Sequence, residues 1–192
     1  MTEQQLVKIF NTKQNRTNQL QQVFSDFENN IIPEIAELIT NYKSKNANVF
    51  EMYGADKPAL YNQVSRVFNT KLGYLWENIA VLSSNVISPE KELGFRLPNV
   101  DCIVYYDNKL YYTQLKTQKN TLTGSHGPEV IRDLTSYPNH WFVACLDNNS
   151  SWTAPASLNR LVGSEFWSKI GINYIDIDSY LQHIVNKLDS ML

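Results

Sequence analysis

Pro98-Asn99-Val100-Asp101-Cys102-Ile103-Val104-Tyr105-Tyr106-Asp107-Asn108-Lys109-Leu110-Tyr111-Tyr112-Thr113-Gln114-Leu115-Lys116 holds two β-branched and aromatic runs on either side of Asp-Asn. Such runs suit a pleated, half-buried surface, and Asp-Asn between them is a hairpin signal, weaker than Asn-Gly. The sequence predicts a strand over residues 100–106 and a second from Lys109 or Leu110 to Thr117. Side chains alternate faces along a strand, so Gln114 and Lys116 project to one side, roughly 7 Å apart. A two-residue loop pairs Tyr106 with Lys109 and, counting back, Asp101 with Gln114. All three polar side chains then share one face, whereas a slip of one residue would separate Asp101 from the other two. An ionised carboxylate in such a strand is costly unless it is paired or holds a metal, so the three residues read as a site.

Outward from the hairpin, helical and strand-like patterns alternate. Towards the N terminus, Leu6, Ile9 and Phe10, then Leu20, Val23, Phe24 and Phe27, recur at helical spacing and predict two helices. A third is expected to begin near Ile32, with Pro33 in its first turn, and to run through Ile35, Leu38 and Ile39. This region reads as a helical lid or subunit contact. A long helix is predicted after Asp56, with Leu60, Val64, Phe68, Leu72, Leu75, Ile79 and Leu82 on one stripe. Glu77 lies about 200° round from Leu75 and from Ile79, among Gly73, Ala80, Val81 and Ser84, where a second element can approach. Residues 93–97 suggest a short strand before the hairpin. Beyond it, Pro128 opens a short helix through Val130, Ile131 and Leu134, and residues 141–146 form a buried strand. Residues 158–167 are expected to be helical, 174–177 a strand and 179–192 a final helix. The class is α/β, with a mixed central sheet flanked by helices and an N-terminal helical region.

At 192 residues, with 43% hydrophobic and 12% aromatic content, the chain suits one globular domain. Residues 1–57 are its helical elaboration, 58–147 its core and 148–192 a C-terminal strand and helices. No apolar run approaches the ~20 residues of a membrane helix and the N terminus lacks a signal-peptide pattern, so no membrane association and a cytoplasmic location are expected. Cys102 and Cys145 each fall in apolar runs and read as core residues rather than a disulfide or zinc site. A net charge of -2 and a pI near 5.9 give no global nucleic-acid signature, so any DNA-binding face must be local and helped by a divalent cation.

The polar face of the hairpin suits a hard cation with oxygen ligands. Asp101 offers an anionic oxygen, Gln114 a neutral carbonyl oxygen, and Lys116 a charge for a phosphate or an attacking water. Pro98-Asn99-Val100-Asp101 followed by Gln114-Leu115-Lys116 resembles the PD-(D/E)XK nuclease signature, with a helix bearing Glu77 ahead of it. The resemblance covers residues 72–146 and implies a restriction-endonuclease-like αβββαβ core. It departs from the family pattern at Asn99, where the motif has its first acid, and at Gln114, where an acid is usual. Amide variants at the second of these positions occur among type II restriction endonucleases.

By this resemblance Asp101, Gln114 and Glu77 are metal ligands, and with Lys116, which orients the nucleophile, they form the catalytic set. The cofactor implied is Mg²⁺, with Mn²⁺ able to substitute. The implied activity is sequence-specific cleavage of double-stranded DNA by a homodimer. A repair or junction-resolving nuclease, and an inactive DNA-binding module, are the alternatives. In the polar stretch after Thr117, the residues Lys119, Asn120, Thr121, Thr123, Ser125 and His126 are able to contact phosphates or base edges, with Gly124 and Gly127 permitting close backbone approach.

Overall fold

A computed structural model describes residues 2–44, 48–122 and 127–192. The hairpin forms as its sequence dictates: β2, Cys102–Tyr106, turns through Asp107 and Asn108 into β3, Lys109–Lys116. Both turn residues have positive φ, 49° and 59°, the backbone of a type I′ turn whose twist matches the strands. Tyr106 pairs with Lys109 and Cys102 with Thr113, the register that a two-residue loop requires. At the far end the ladder changes. The Asp101 N–H donates to the Thr113 carbonyl at 2.9 Å instead of continuing straight across to Gln114.

Three short strands complete the sheet on this scaffold. β1, Val86–Ile87, pairs antiparallel with β2, while β4, His140–Ala144, and β5, Arg160–Val162, extend it in parallel beyond β3. The result is a five-stranded mixed sheet in the order β1-β2-β3-β4-β5, flanked by helices. Alternation along the strands divides the core. Val86, Cys102, Val104, Leu115 and Val143 face the helices α2 (Leu20–Thr40), α4 (Asp56–Ala80), α7 (Gly163–Lys169) and α8 (Tyr174–Asp189). Ile87, Ile103, Leu110 and Phe142 face α1 (Glu3–Thr12) and α6 (Gly127–Thr135) on the other side. Both cysteines are free and buried, as expected.

Several expected elements are corrected. The second and third N-terminal helices are one, α2, with Pro33 inside it. Leu20, Phe24, Ile31 and Ile35 keep one buried stripe through the proline, so packing on that stripe offsets the hydrogen bond that Pro33 cannot donate. The N-terminal helices are not a lid over the core. Leu6 and Phe10 belong to one core cluster and Leu20 and Phe24 to the other.

The strand expected at 93–97 is absent; the first strand is β1, and residues 89–93 form a helix, α5 (Pro89–Leu93). Ser88 caps α5 by accepting from the Lys91 N–H, and Gly94 stops it at φ 74°, a left-handed turn that glycine adopts without strain. Where one helix was expected over 158–167 there are β5 and α7. The strand expected at 174–177 is the first turn of α8, because the Asn173 side chain accepts from the Ile175 N–H and starts the helix.

Gly163, the first residue of α7, is set against Cys145 at the end of β4. A Cβ there would lie 2.3 Å from the Cys145 carbonyl oxygen, which also accepts from the Trp167 indole N–H at 2.9 Å. Gly163→Ala is therefore expected to cost about 3 kcal/mol or more, since the blocking atom is backbone inside a parallel ladder. Urea denaturation should show a lower midpoint at unchanged slope; an unchanged midpoint would contradict the close approach.

Candidate functional site

The Asp101 carboxylate stands in for the interrupted ladder. Its Oδ2 accepts from the Leu115 N–H at 2.7 Å and from the Gln114 Nε2–H at 2.7 Å. The residues expected to meet across the hairpin do so, through a side chain that substitutes for a main-chain acceptor. Gln114 is only 5% exposed, and with its nitrogen committed to Asp101 its Oε1 is left buried with no hydrogen-bond partner. An orphaned buried carbonyl is costly, which marks it as an atom waiting for a ligand.

Burial is the largest influence on Asp101 and pushes its carboxyl up to about 6. The Leu115 N–H, the Lys116 charge and Gln114 oppose that shift, while Glu77 adds to it. Lys116 and Glu77 thus both act on Asp101 through space. The Lys116 ammonium is half-buried and makes no ion pair or hydrogen bond among the described residues. Glu77 instead receives Lys91 at 3.0 Å, and Lys91 also donates to Asn78 at 2.9 Å. The element that approaches Glu77 is α5, through Lys91.

Asp101 and Gln114 sit at one side of a cavity of about 210 Å³, whose other lining residues are Glu90, Arg96, Leu97, Asn99 and Val100. Asn99 has a left-handed backbone, φ 55°, a conformation asparagine tolerates better than most residues. Its amide donates to Asp133 on α6 at 2.8 Å, pinning the turn that presents Asp101. Glu90 and Arg96 were passed over in the sequence, where 93–97 was read as a strand. The signal was there: Ser88-Pro89 and Gly94 are the start and stop of a short helix that carries Glu90 to the cavity.

The six residues expected to touch DNA divide. Lys119 donates to the Asn148 carbonyl at 2.7 Å and so ties its loop to the segment after β4. Thr121 closes a local turn onto the Gln118 carbonyl, and Asn120 is exposed. Thr123, Ser125 and His126 lie outside the described residues.

The donor set fits a divalent cation. One carboxylate, one free amide oxygen and room for several waters are what Mg²⁺ uses when it binds through few protein ligands and a substrate phosphate. Among the described residues there is no cluster of three or more His, Cys, Asp or Glu side chains able to hold a metal by itself. No helix among them is long and apolar enough to cross a membrane. No family model, curated protein or solved structure matches the chain.

Proposed function

We propose that the chain is a Mg²⁺-dependent endonuclease of the PD-(D/E)XK kind, hydrolysing phosphodiester bonds of double-stranded DNA as type II restriction enzymes do. The observation that carries this reading is the Asp101–Gln114 pair in the wall of the cavity, with Gln114 Oε1 buried and without a hydrogen-bond partner. The element order supports it too: α4, β1, β2, β3, α6 and β4 come in the αβββαβ sequence of that superfamily, with the short helix α5 inserted between β1 and β2. Asp101 and Gln114 Oε1 would hold the cation, with Glu77 contributing once Lys91 releases it. When bound, Mg²⁺ neutralises charge at the scissile phosphate and polarises its oxygens.

The chain's own part follows from its geometry. Asp101 accepts from the Gln114 amide nitrogen, which leaves the Gln114 oxygen uncommitted, and the Leu115 N–H fixes Asp101. Lys116, whose charge acts on Asp101 and whose side chain lies outside the cavity lining, would orient an attacking water and counter charge that develops on the phosphate during in-line displacement. One chain has one such site, so cutting both strands of a palindrome calls for a two-fold homodimer.

Digestion of a complex DNA with Mg²⁺ or Mn²⁺, followed by sequencing of the ends, tests this directly. Discrete ends at a short palindrome are expected, and Lys116→Ala should cut at least about 100-fold more slowly while still binding duplex. Absence of cleavage by wild type with either cation, or a Lys116→Ala rate equal to wild type, would remove the proposal. Preference for branched substrates would point instead to a junction-resolving or repair nuclease.

A further inference from the structure

Arg96 and Glu90 line the cavity but have no role in the chemistry above. Arg96 Nη2 donates to Glu90 Oε1 at 2.5 Å, with the two side chains 81% and 57% exposed. Solvent and salt screen such a pair, so it is weak and readily exchanged. Glu90 is held on α5 between the Ser88 cap and the Gly94 stop, whereas Arg96 follows Gly94 on the irregular segment leading to Asp101. The anchored partner is therefore the acid, and the movable one is the guanidinium.

The cavity's charges show what the guanidinium is for. Of the side chains lining it, Asp101 and Glu90 are acidic, Leu97, Asn99, Val100 and Gln114 are neutral, and Arg96 alone is cationic. Arg96 is the one side chain of that lining able to meet a phosphate with positive charge, and its planar fork matches two phosphate oxygens. The unpartnered Gln114 oxygen is a second feature of a lining residue that a bound group would satisfy. Glu90 is then in competition with the incoming phosphate for the same fork.

We propose that the Arg96–Glu90 pair is an exchangeable latch: Arg96 leaves Glu90 to grip a DNA backbone phosphate at the Asp101–Gln114 cavity, and Glu90 holds it at rest otherwise. This rests on the nuclease reading. It makes Arg96 a substrate-binding residue and Glu90 a brake on binding, rather than a ligand of the cation.

The test is binding of a fluorescent mixed-sequence duplex by anisotropy over a salt series in EDTA, together with calorimetric titration of the metal-free protein with Mn²⁺. Arg96→Ala is expected to weaken duplex binding about tenfold and to lower the log–log salt slope by about one, the signature of one lost phosphate contact. Arg96→Lys should restore the slope but only part of the affinity, because it keeps the charge and loses the fork. Glu90→Gln should bind duplex several-fold more tightly and take up Mn²⁺ as wild type does. Glu90→Gln combined with Arg96→Ala should match Arg96→Ala alone, since the brake acts only through the guanidinium.

Wild-type affinity and slope in Arg96→Ala would overturn the latch. So would loss of Mn²⁺ affinity in Glu90→Gln, which would make Glu90 a cation ligand. Both variants change exposed side chains, and circular dichroism checks that they fold. A wild-type protein that cleaves and binds DNA while Arg96→Ala behaves identically defeats the latch alone; a wild type that neither binds nor cleaves DNA defeats the nuclease reading and the latch with it.

Discussion

Asp101→Asn is expected to reduce cleavage by at least about 1,000-fold and, at alkaline pH, to make the folded chain more stable than wild type. Loss of activity follows because the amide keeps the shape of the carboxylate but removes the anionic oxygen that would hold the cation. The stability gain follows from the raised carboxyl, about 6 in the fold against 3.8 for the ordinary group, for which burial is the leading cause. Below 3.8 both folded and unfolded chains carry the proton and the group has no effect. Between 3.8 and about 6 the unfolded chain releases its proton first, so stability falls as pH rises. Above about 6 the penalty is complete, at most about 3 kcal/mol.

Asparagine removes that penalty while retaining an oxygen for the Leu115 N–H. In the place of Asp101 Oδ2, that oxygen also keeps the bond from the Gln114 Nε2–H, because both donors share the one atom. Lost attraction to Lys116 subtracts from the gain, so a net increase of about 1–2 kcal/mol near pH 8 is expected, vanishing near pH 4. Urea denaturation of both proteins at the two pH values measures it. A variant no more stable than wild type near pH 8 would show that the carboxylate is not held against its own preference for water.

The meeting of Asp101 and Gln114 is legible in the sequence because strand periodicity and turn chemistry are local. Asp107 and Asn108 both accept the left-handed backbone, which fixes the loop at two residues and with it the register as far as Cys102 and Thr113, one step short of Asp101 and Gln114. What the hairpin pattern could not show was the last step of the ladder, where the Asp101 side chain takes the Leu115 N–H in place of a main-chain carbonyl. That depends on where the preceding turn leaves the chain, and the turn is set from afar by Asn99 bonding to Asp133 on α6.

Elsewhere, local propensity was overridden. Tyr174-Ile175-Asp176-Ile177 alternates like a strand, yet Ile175 is 71% exposed and Ile177 is buried with Leu181, Ile184 and Leu188 along a helical stripe. Pro33 suggested a helix start, but the stripe on either side of it is continuous and the buried faces of α2 decide. β5 is only three residues long, too short for its period to be read against the helix-like run around it. The second cavity wall escaped notice for a similar reason. Glu90 and Arg96 are ordinary exposed charges in the sequence, and only α5 and the segment after Gly94 bring them over Asp101.

Gln114→Glu, which restores the acid usual at this position of the signature, is expected to lower metal-free stability sharply and to make it cation-dependent. The substitution removes the Nε2–H donor that Asp101 accepts at 2.7 Å and sets a second carboxylate in its place, in a side chain only 5% exposed. Two buried carboxylates at that separation cannot both ionise freely, so the pair shares a proton and titrates as a unit. Near pH 8 the cost should be about 2–4 kcal/mol, a fall of roughly 5–15 °C in Tm for a chain of this size. About 10 mM Mg²⁺ or Mn²⁺ should recover most of it, because the cation binds the folded pair and supplies the missing countercharge. Wild type, with one carboxylate and a neutral oxygen, should respond less. Near pH 5 the shared proton replaces the cation, and the difference between the proteins should shrink. The double variant Asp101→Asn with Gln114→Glu returns the pair to one acid and one amide with their strands exchanged, so its metal-free Tm should approach that of wild type. A Gln114→Glu Tm that ignores both cation and pH would mean that the two side chains do not face a common space. Recovery in the double variant without a cation response in the single one would leave their contact intact and remove the cation from the site.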